Sequence, residues 1–221
     1  MKLWDADSGS CICTLKKNSG WVCAVAYSPD GQHIATGGRN STVMLWNIES
    51  GQCVHTLENS DTPILCLAYS PDGQHIAVGS SKNSIRVWNL EIDKYQVLNG
   101  HSDKIRSLAY SPDGTQLATS SYDNTVRLWD LATSECVHIL EGHEDTVRAL
   151  SYSTAKELAS GSDDGTVKLW NVESGKCIDT LRFSKESFRQ VYLYAYQGYK
   201  NRIMSLAYNP DGKQLAVGSN N

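Results

Sequence analysis

Apolar and polar positions alternate in short runs along the whole chain. Val22, Ala24 and Ala26 are followed by Ile34 and Thr36, then by Val43, Leu45 and Ile48, with Gly, Pro, Asn, Asp and Ser gathered between the runs. A period of two over four to seven residues predicts β-strands, and no run leaves room for a helix of useful length. The pattern itself repeats. Trp4, Trp46, Trp88, Trp129 and Trp170 are each followed by Asp or Asn and stand 42, 42, 41 and 41 residues apart. Ser28-Pro29-Asp30-Gly31 returns as Ser70 to Gly73, as Ser111 to Gly114 and, altered, as Asn209 to Gly212; only Ser153-Thr154-Ala155-Lys156 breaks the series. Pro presets φ at the second position of a type I turn and Gly relieves the fourth, so each motif should link two antiparallel strands. Each period then holds about four strands. Such a unit cannot bury both faces alone, so neighbours must stack face to face in a radial array.

Gly100-His101 and Gly142-His143, the Ser-Pro-Asp-Gly turns, and the runs Asp123 to Asp130 and Asp164 to Asn171 together resemble WD40 repeats over nearly the whole chain. The resemblance implies an all-β propeller of about five four-stranded blades, its strands lettered a to d from the hub outward. Blade-equivalents are expected at residues 16–57, 58–98, 99–140 and 141–181, with a split blade from 203–221 plus 1–15, in a single domain spanning 1–221. Aligned repeats put Asn221 level with Asn40 and Met1 level with Val43, so the ends are expected to close a ring, giving a monomer. The other outcome is a self-associating chain or part of a longer array, with one sheet face uncovered at each end. Residues 182–197 fall outside the period: 7 residues separate Leu140 from Val147, but 22 separate Leu181 from Ile203. Within this insertion Phe188 precedes Tyr192, Tyr194 and Tyr196, which alternate with Leu193 and Ala195. An added strand or hairpin that contacts a partner is expected there.

The residues that look chemical recur once per repeat. In the family, a His, a strand b hydroxyl, the turn Asp and the strand c Trp form a hydrogen-bonded chain. The resemblance assigns that role to His101, Thr119, Asp123 and Trp129, and again to His143, Ser160, Asp164 and Trp170. Without the family, His, Asp and a hydroxyl would suggest a nucleophilic triad, but a set repeated by period is structural, and no catalytic residue is assigned. His33 and His75 occupy one equivalent position, His55 and His138 another, so these pairs do not converge on a metal, and no metal site or cofactor is expected. Cys11, Cys53, Cys136 and Cys177 each lie seven residues after a repeat Trp, on separate blades too far apart for disulfides. Seven cysteines without a Cys-x-x-Cys motif indicate a reducing compartment.

Composition narrows the function. The net charge is -4, with 20 basic and 24 acidic residues and 40% hydrophobic content, typical of a soluble globular protein. It gives no reason to expect nucleic acid or membrane, and with no apolar signal at the start the chain is expected to be cytoplasmic. In the resemblance, the d to a and b to c connections form one rim, where the family commonly binds partners. The fifteen rim positions include Trp21, Arg39, Leu65, Lys104, Arg106, Tyr122, Arg148, Asp163, Arg202 and Met204. They carry five basic residues against Asp163 alone, a basic mouth on an acidic body. The expected function is a non-catalytic protein-protein interaction scaffold for protein or peptide partners, acidic or phosphorylated peptides among them, gripped by Arg106, Arg148 and Arg202. The alternative is a repeat-array fragment serving as the sensing or autoinhibitory module of a larger signalling protein.

Overall fold

The computed structural model describes residues 1–15, 20–58, 62–153, 156–182 and 202–220. Its turns are braced by local hydrogen bonds. The Gly114 N–H donates to the Ser111 carbonyl at 2.9 Å, and Ser111 Oγ donates to Asp113 at 2.6 Å while accepting the Gln116 N–H at 2.9 Å. Gly31, Gly73, Gly114 and Gly212 hold φ values of 69°, 73°, 73° and 70°, the left-handed region that glycine enters without a Cβ penalty.

Twenty strands follow, and no helix occurs among the described residues. β1 (Lys2–Trp4) pairs with β2 (Cys11–Thr14). The first complete blade comprises β3 (Val22–Tyr27), β4 (His33–Gly38), β5 (Thr42–Asn47) and β6 (Cys53–Glu58). The second comprises β7 (Ile64–Tyr69), β8 (His75–Ser80), β9 (Ser84–Asn89) and β10 (Lys94–Asn99), and the third β11 (Ile105–Tyr110), β12 (Gln116–Ser121), β13 (Val126–Asp130) and β14 (Cys136–Leu140). The fourth comprises β15 (Val147–Tyr152), β16 (Glu157–Ser162), β17 (Thr166–Asn171) and β18 (Cys177–Arg182); β19 (Arg202–Tyr208) pairs with β20 (Leu215–Asn220). Every sheet is antiparallel, with sequence neighbours as sheet neighbours, as in propeller blades.

The sheets stack in chain order: β3 packs on β7, β7 on β11, β11 on β15 and β15 on β19. The core therefore lies between sheets rather than within one. Val43, Leu45 and Leu57 of the first blade meet Ile64, Leu67 and Ile76 of the second. A bulge in each hub strand makes this two-sided packing possible. The β7 ladder slips between Ile64 and Cys66, so Ile64, Leu67 and Tyr69 pack towards the preceding blade while Cys66 and Ala68 pack towards the next. Close approach of the sheets requires glycine. A Cβ added at Gly37 would stand 2.6 Å from Ile64, one at Gly79 would stand 2.7 Å from Ile105, and one at Gly161 would stand 2.4 Å from Ile203.

Among the described residues the two halves of the expected split blade are not joined: β1–β2 and β19–β20 stand there as two separate two-stranded sheets with no ladder between them. Each is committed to its own neighbour: Leu15, which follows β2, packs against Met44 and Trp46 of the first blade, and β19 packs on the fourth. The insertion at 182–197, with Phe188, Tyr192, Tyr194 and Tyr196, lies outside the described residues apart from Arg182. No helix of the described residues is long and apolar enough to cross a membrane.

Candidate functional site

Strand register brings each histidine into its blade. His101 Nδ1 lies 2.7 Å from Asp123 and its Nε2 lies 2.8 Å from Thr119 Oγ1, which accepts the Trp129 indole N–H at 2.8 Å. In the next blade His143 stands 2.8 Å from Asp164 and 2.7 Å from Ser160, whose hydroxyl accepts from Trp170 at 2.7 Å. Burial alone would push both carboxyls up, but the bonds from His101 and Thr125, and from His143 and Thr166, outweigh it and hold them far below the usual carboxylate range. His101 and His143 are buried, so these groups tie a blade together and offer no surface to a substrate. In the first blade Trp46 donates to Thr36 at 2.9 Å. In the second, Val78 replaces the hydroxyl and the buried Trp88 Nε1 has no hydrogen-bond partner among the described residues. No three His, Cys, Asp or Glu side chains among those residues converge as a metal site would require.

The rim is built from paired corners. In each complete blade a b to c residue donates its N–H to a d to a carbonyl: Arg39 to Trp21 and Tyr122 to Lys104 at 3.0 Å, Ser81 to Pro63 and Asp163 to Thr146 at 2.9 Å. Side chains stack at two of these corners. The Arg39 guanidinium lies 4.3 Å from the Trp21 ring centre, and the Lys104 amine 5.8 Å from that of Tyr122, with all four residues exposed. Leu65 is half-buried and Met204 exposed.

These blades and corners match known repeats. Residues 1–135 match the family model described as the IFT122 first beta-propeller, well over half of the chain. The chain belongs to the WD40-repeat β-propellers, the family of that first propeller. Residues 134–171 and 190–221 also match the model for the WD domain, G-beta repeat. A 45-residue stretch is 42% identical to the Nuclear distribution protein PAC1 of Arthroderma benhamiae and of Trichophyton verrucosum, covering 20% of this chain and 10% of each of those proteins. A 33-residue stretch is 48% identical to the Ribosome assembly protein 4 of Chaetomium thermophilum, 15% of this chain and 6% of that one. The WD40 chain thus matches a tenth or less of the length of these curated relatives. Propellers of this family are generally scaffolds for protein partners rather than enzymes.

Within this WD40 rim the structure separates cations that the sequence counts together. Arg148 is committed to the buried Asp163: its Nε reaches one carboxylate oxygen and its Nη2 the other, the latter at 2.6 Å. That pairing raises the Arg148 pKa, with the Tyr122 hydroxyl also contributing. Arg202 Nε stands 3.9 Å from the same carboxylate. Arg148 and Arg202 therefore converge on Asp163 and do not form an open clamp with Arg106. The signal was present in the register. Val147 opposite Ser162 sets Arg148 beside Asp163 at the end of one ladder. Arg106, by contrast, makes no ion pair among the described residues, and its buried Nε has no partner there.

Proposed function

We propose that this WD40 propeller is a non-catalytic scaffold whose rim binds an acidic peptide, phosphorylated or not. The observation that carries the reading is the set Arg39, Lys104 and Arg106, none of which makes an ion pair among the described residues, whereas Asp163 is already neutralised by Arg148. Cations stacked on Trp21 and Tyr122 keep an apolar platform beside each charge, the combination favoured at interface hot spots. The corner hydrogen bonds hold these positions on rigid blades, so little ordering entropy opposes binding. A cytoplasmic setting belongs to the same proposal, since all seven cysteines are free and Cys11, Cys23 and Cys177 are exposed.

Arg106→Glu tests the reading without disturbing the Arg148–Asp163 pair. Affinity for acidic peptides, measured by calorimetry at two salt concentrations, should fall by about tenfold or more, and the salt dependence should weaken. Unchanged affinity and salt dependence would overturn it.

A further inference from the structure

The face opposite the basic rim is acidic. It is formed by the a to b and c to d links, which in the four complete blades carry eight acidic residues against Lys156 and Lys176. These links are paired much as the rim corners are: Leu90 donates its N–H to the Gln74 carbonyl at 2.9 Å, and Leu131 to that of Thr115 at 3.1 Å. Clefts open between successive blades on this face. One, of about 660 Å³, lies between the second and third complete blades and is lined by Asp72 and Tyr110. The next, of about 430 Å³, lies between the third and fourth and is lined by Asp113 and Tyr152.

Each cleft holds the same pair of groups. Ser70 and Gln74 donate to one oxygen of Asp72, and Ser111 and Thr115 to one oxygen of Asp113, so the second oxygen of each exposed carboxylate is left for another donor. Those bonds, the serine hydroxyl's foremost, hold both carboxyls below the usual carboxylate range and keep them ionised. The Tyr110 and Tyr152 hydroxyls are buried and have no hydrogen-bond partner among the described residues. Burial, and after it the facing carboxylate, pushes both tyrosine pKa values up, so the hydroxyls keep their protons. Lys94 and Asp130 also line the first cleft, and Lys156 and Glu173 the second, but neither lysine makes an ion pair among the described residues.

An ionised carboxylate beside an unpartnered hydroxyl suits a cationic N–H group. A guanidinium or ammonium can donate to both oxygens, its stem lying on Ile92 and Leu131 in one cleft or on Pro112 and Val172 in the other. The hydroxyl proton then needs an acceptor, which the cation lacks and a peptide carbonyl supplies. We infer that this face binds a basic peptide segment, its Arg or Lys side chains entering the clefts between successive blades. A peptide is the occupant because clefts of one chemistry recur at adjacent junctions. Cations carried on one chain can fill both, the second at raised effective concentration. The sign of the face repels nucleic acid and anionic lipid.

Fluorescence anisotropy with a labelled peptide of alternating Arg and Ser tests the inference on the full chain. Asp72→Asn with Asp113→Asn should weaken binding by about tenfold or more. Tyr110→Phe with Tyr152→Phe keeps every charge and removes only the two unpartnered hydroxyls. That pair should leave the circular dichroism spectrum and Tm undiminished yet weaken binding by about threefold or more. Glu49→Gln with Glu135→Gln removes the same charge from the same face outside both clefts and should leave affinity nearly unchanged. No measurable binding, an equal loss in the Glu and Asp pairs, or full affinity in the Phe pair would each overturn the inference. Arg106→Glu on the rim should leave this affinity unchanged, so the test stands or falls independently of that of the rim.

Discussion

Val78 occupies, in the second complete blade, the place where the other three carry a hydroxyl, and the buried Trp88 N–H beneath it is left without a partner among the described residues. Val78→Thr keeps the shape and supplies that partner. In the blades that have it, the indole to hydroxyl distance is 2.9, 2.8 and 2.7 Å, so the new Oγ1 should accept from Trp88 with no backbone movement. Its own proton has a place to go, since Thr36 in the first blade directs its hydroxyl at the Met44 carbonyl, 3.4 Å away, and Arg86 provides the equivalent carbonyl across from Val78. An unsatisfied buried donor costs about 1–3 kcal/mol, and burying a new hydroxyl costs roughly the same before its bonds form. Two bonds formed for one group buried leave a net gain of about 1 kcal/mol, or about 2–4 °C in Tm for a chain of this size. Thr36→Val is the reverse experiment and should destabilise by about 1–3 kcal/mol. Urea titration and a thermal melt of both variants decide the matter. A lower or unchanged Tm for Val78→Thr, together with no loss for Thr36→Val, would refute the assignment of these indole bonds as stabilising.

Two further expectations follow from the same blades. Because Asp123 and Asp164 have folded-state pKa values below the unfolded carboxylate value, their contribution is complete above about pH 5 and is lost as pH falls through about 4 and below. Stability measured against pH should drop steeply on that acid limb, and the Asp123→Asn, Asp164→Asn double variant should flatten it; an identical slope would show that other groups set the acid limit. Gly161→Ala should destabilise by about 1–3 kcal/mol, because its Cβ would lie 2.4 Å from a fully buried Ile203. An unchanged midpoint in chemical denaturation would contradict the close approach of the sheets at that glycine.

Much of this architecture was legible because its determinants are local. The Trp period and the Ser-Pro-Asp-Gly turns fix strand count and order through short-range chemistry, and His101 and His143 could be placed with their partners because the repeat fixes the register. The bulges were not legible. Strict alternation puts Val22, Ala24 and Ala26 on one face, but the slip between Val22 and Ala24 parts the first from the other two, and no residue type at that step announces it. The open arginine grip was misread for a related reason. Counting positions places Arg148 among the cations open to a partner, whereas side-chain reach across a ladder end commits it to Asp163 and leaves the total charge as it was. Sequence phase says which strands are alike and not which sheet each half-blade packs against, so the contact of Leu15 with Met44 and Trp46 was not legible either.

Stacking in which each sheet touches only those before and after it also governs how the molecule comes apart. Among the described residues the half-blades are held on one side and the complete blades on two, and stability behaves as a row of coupled units. Opening should begin at the half-blades and move inward, so the slowest amide exchange belongs to the second and third complete blades. Cys66 sits between those two blades, where burial pushes its thiol pKa up to about 12 and slows its reaction while they remain in contact. The protein thus carries a clock in its middle: the alkylation rate of that one sulfur reports how often the central pair of sheets separates.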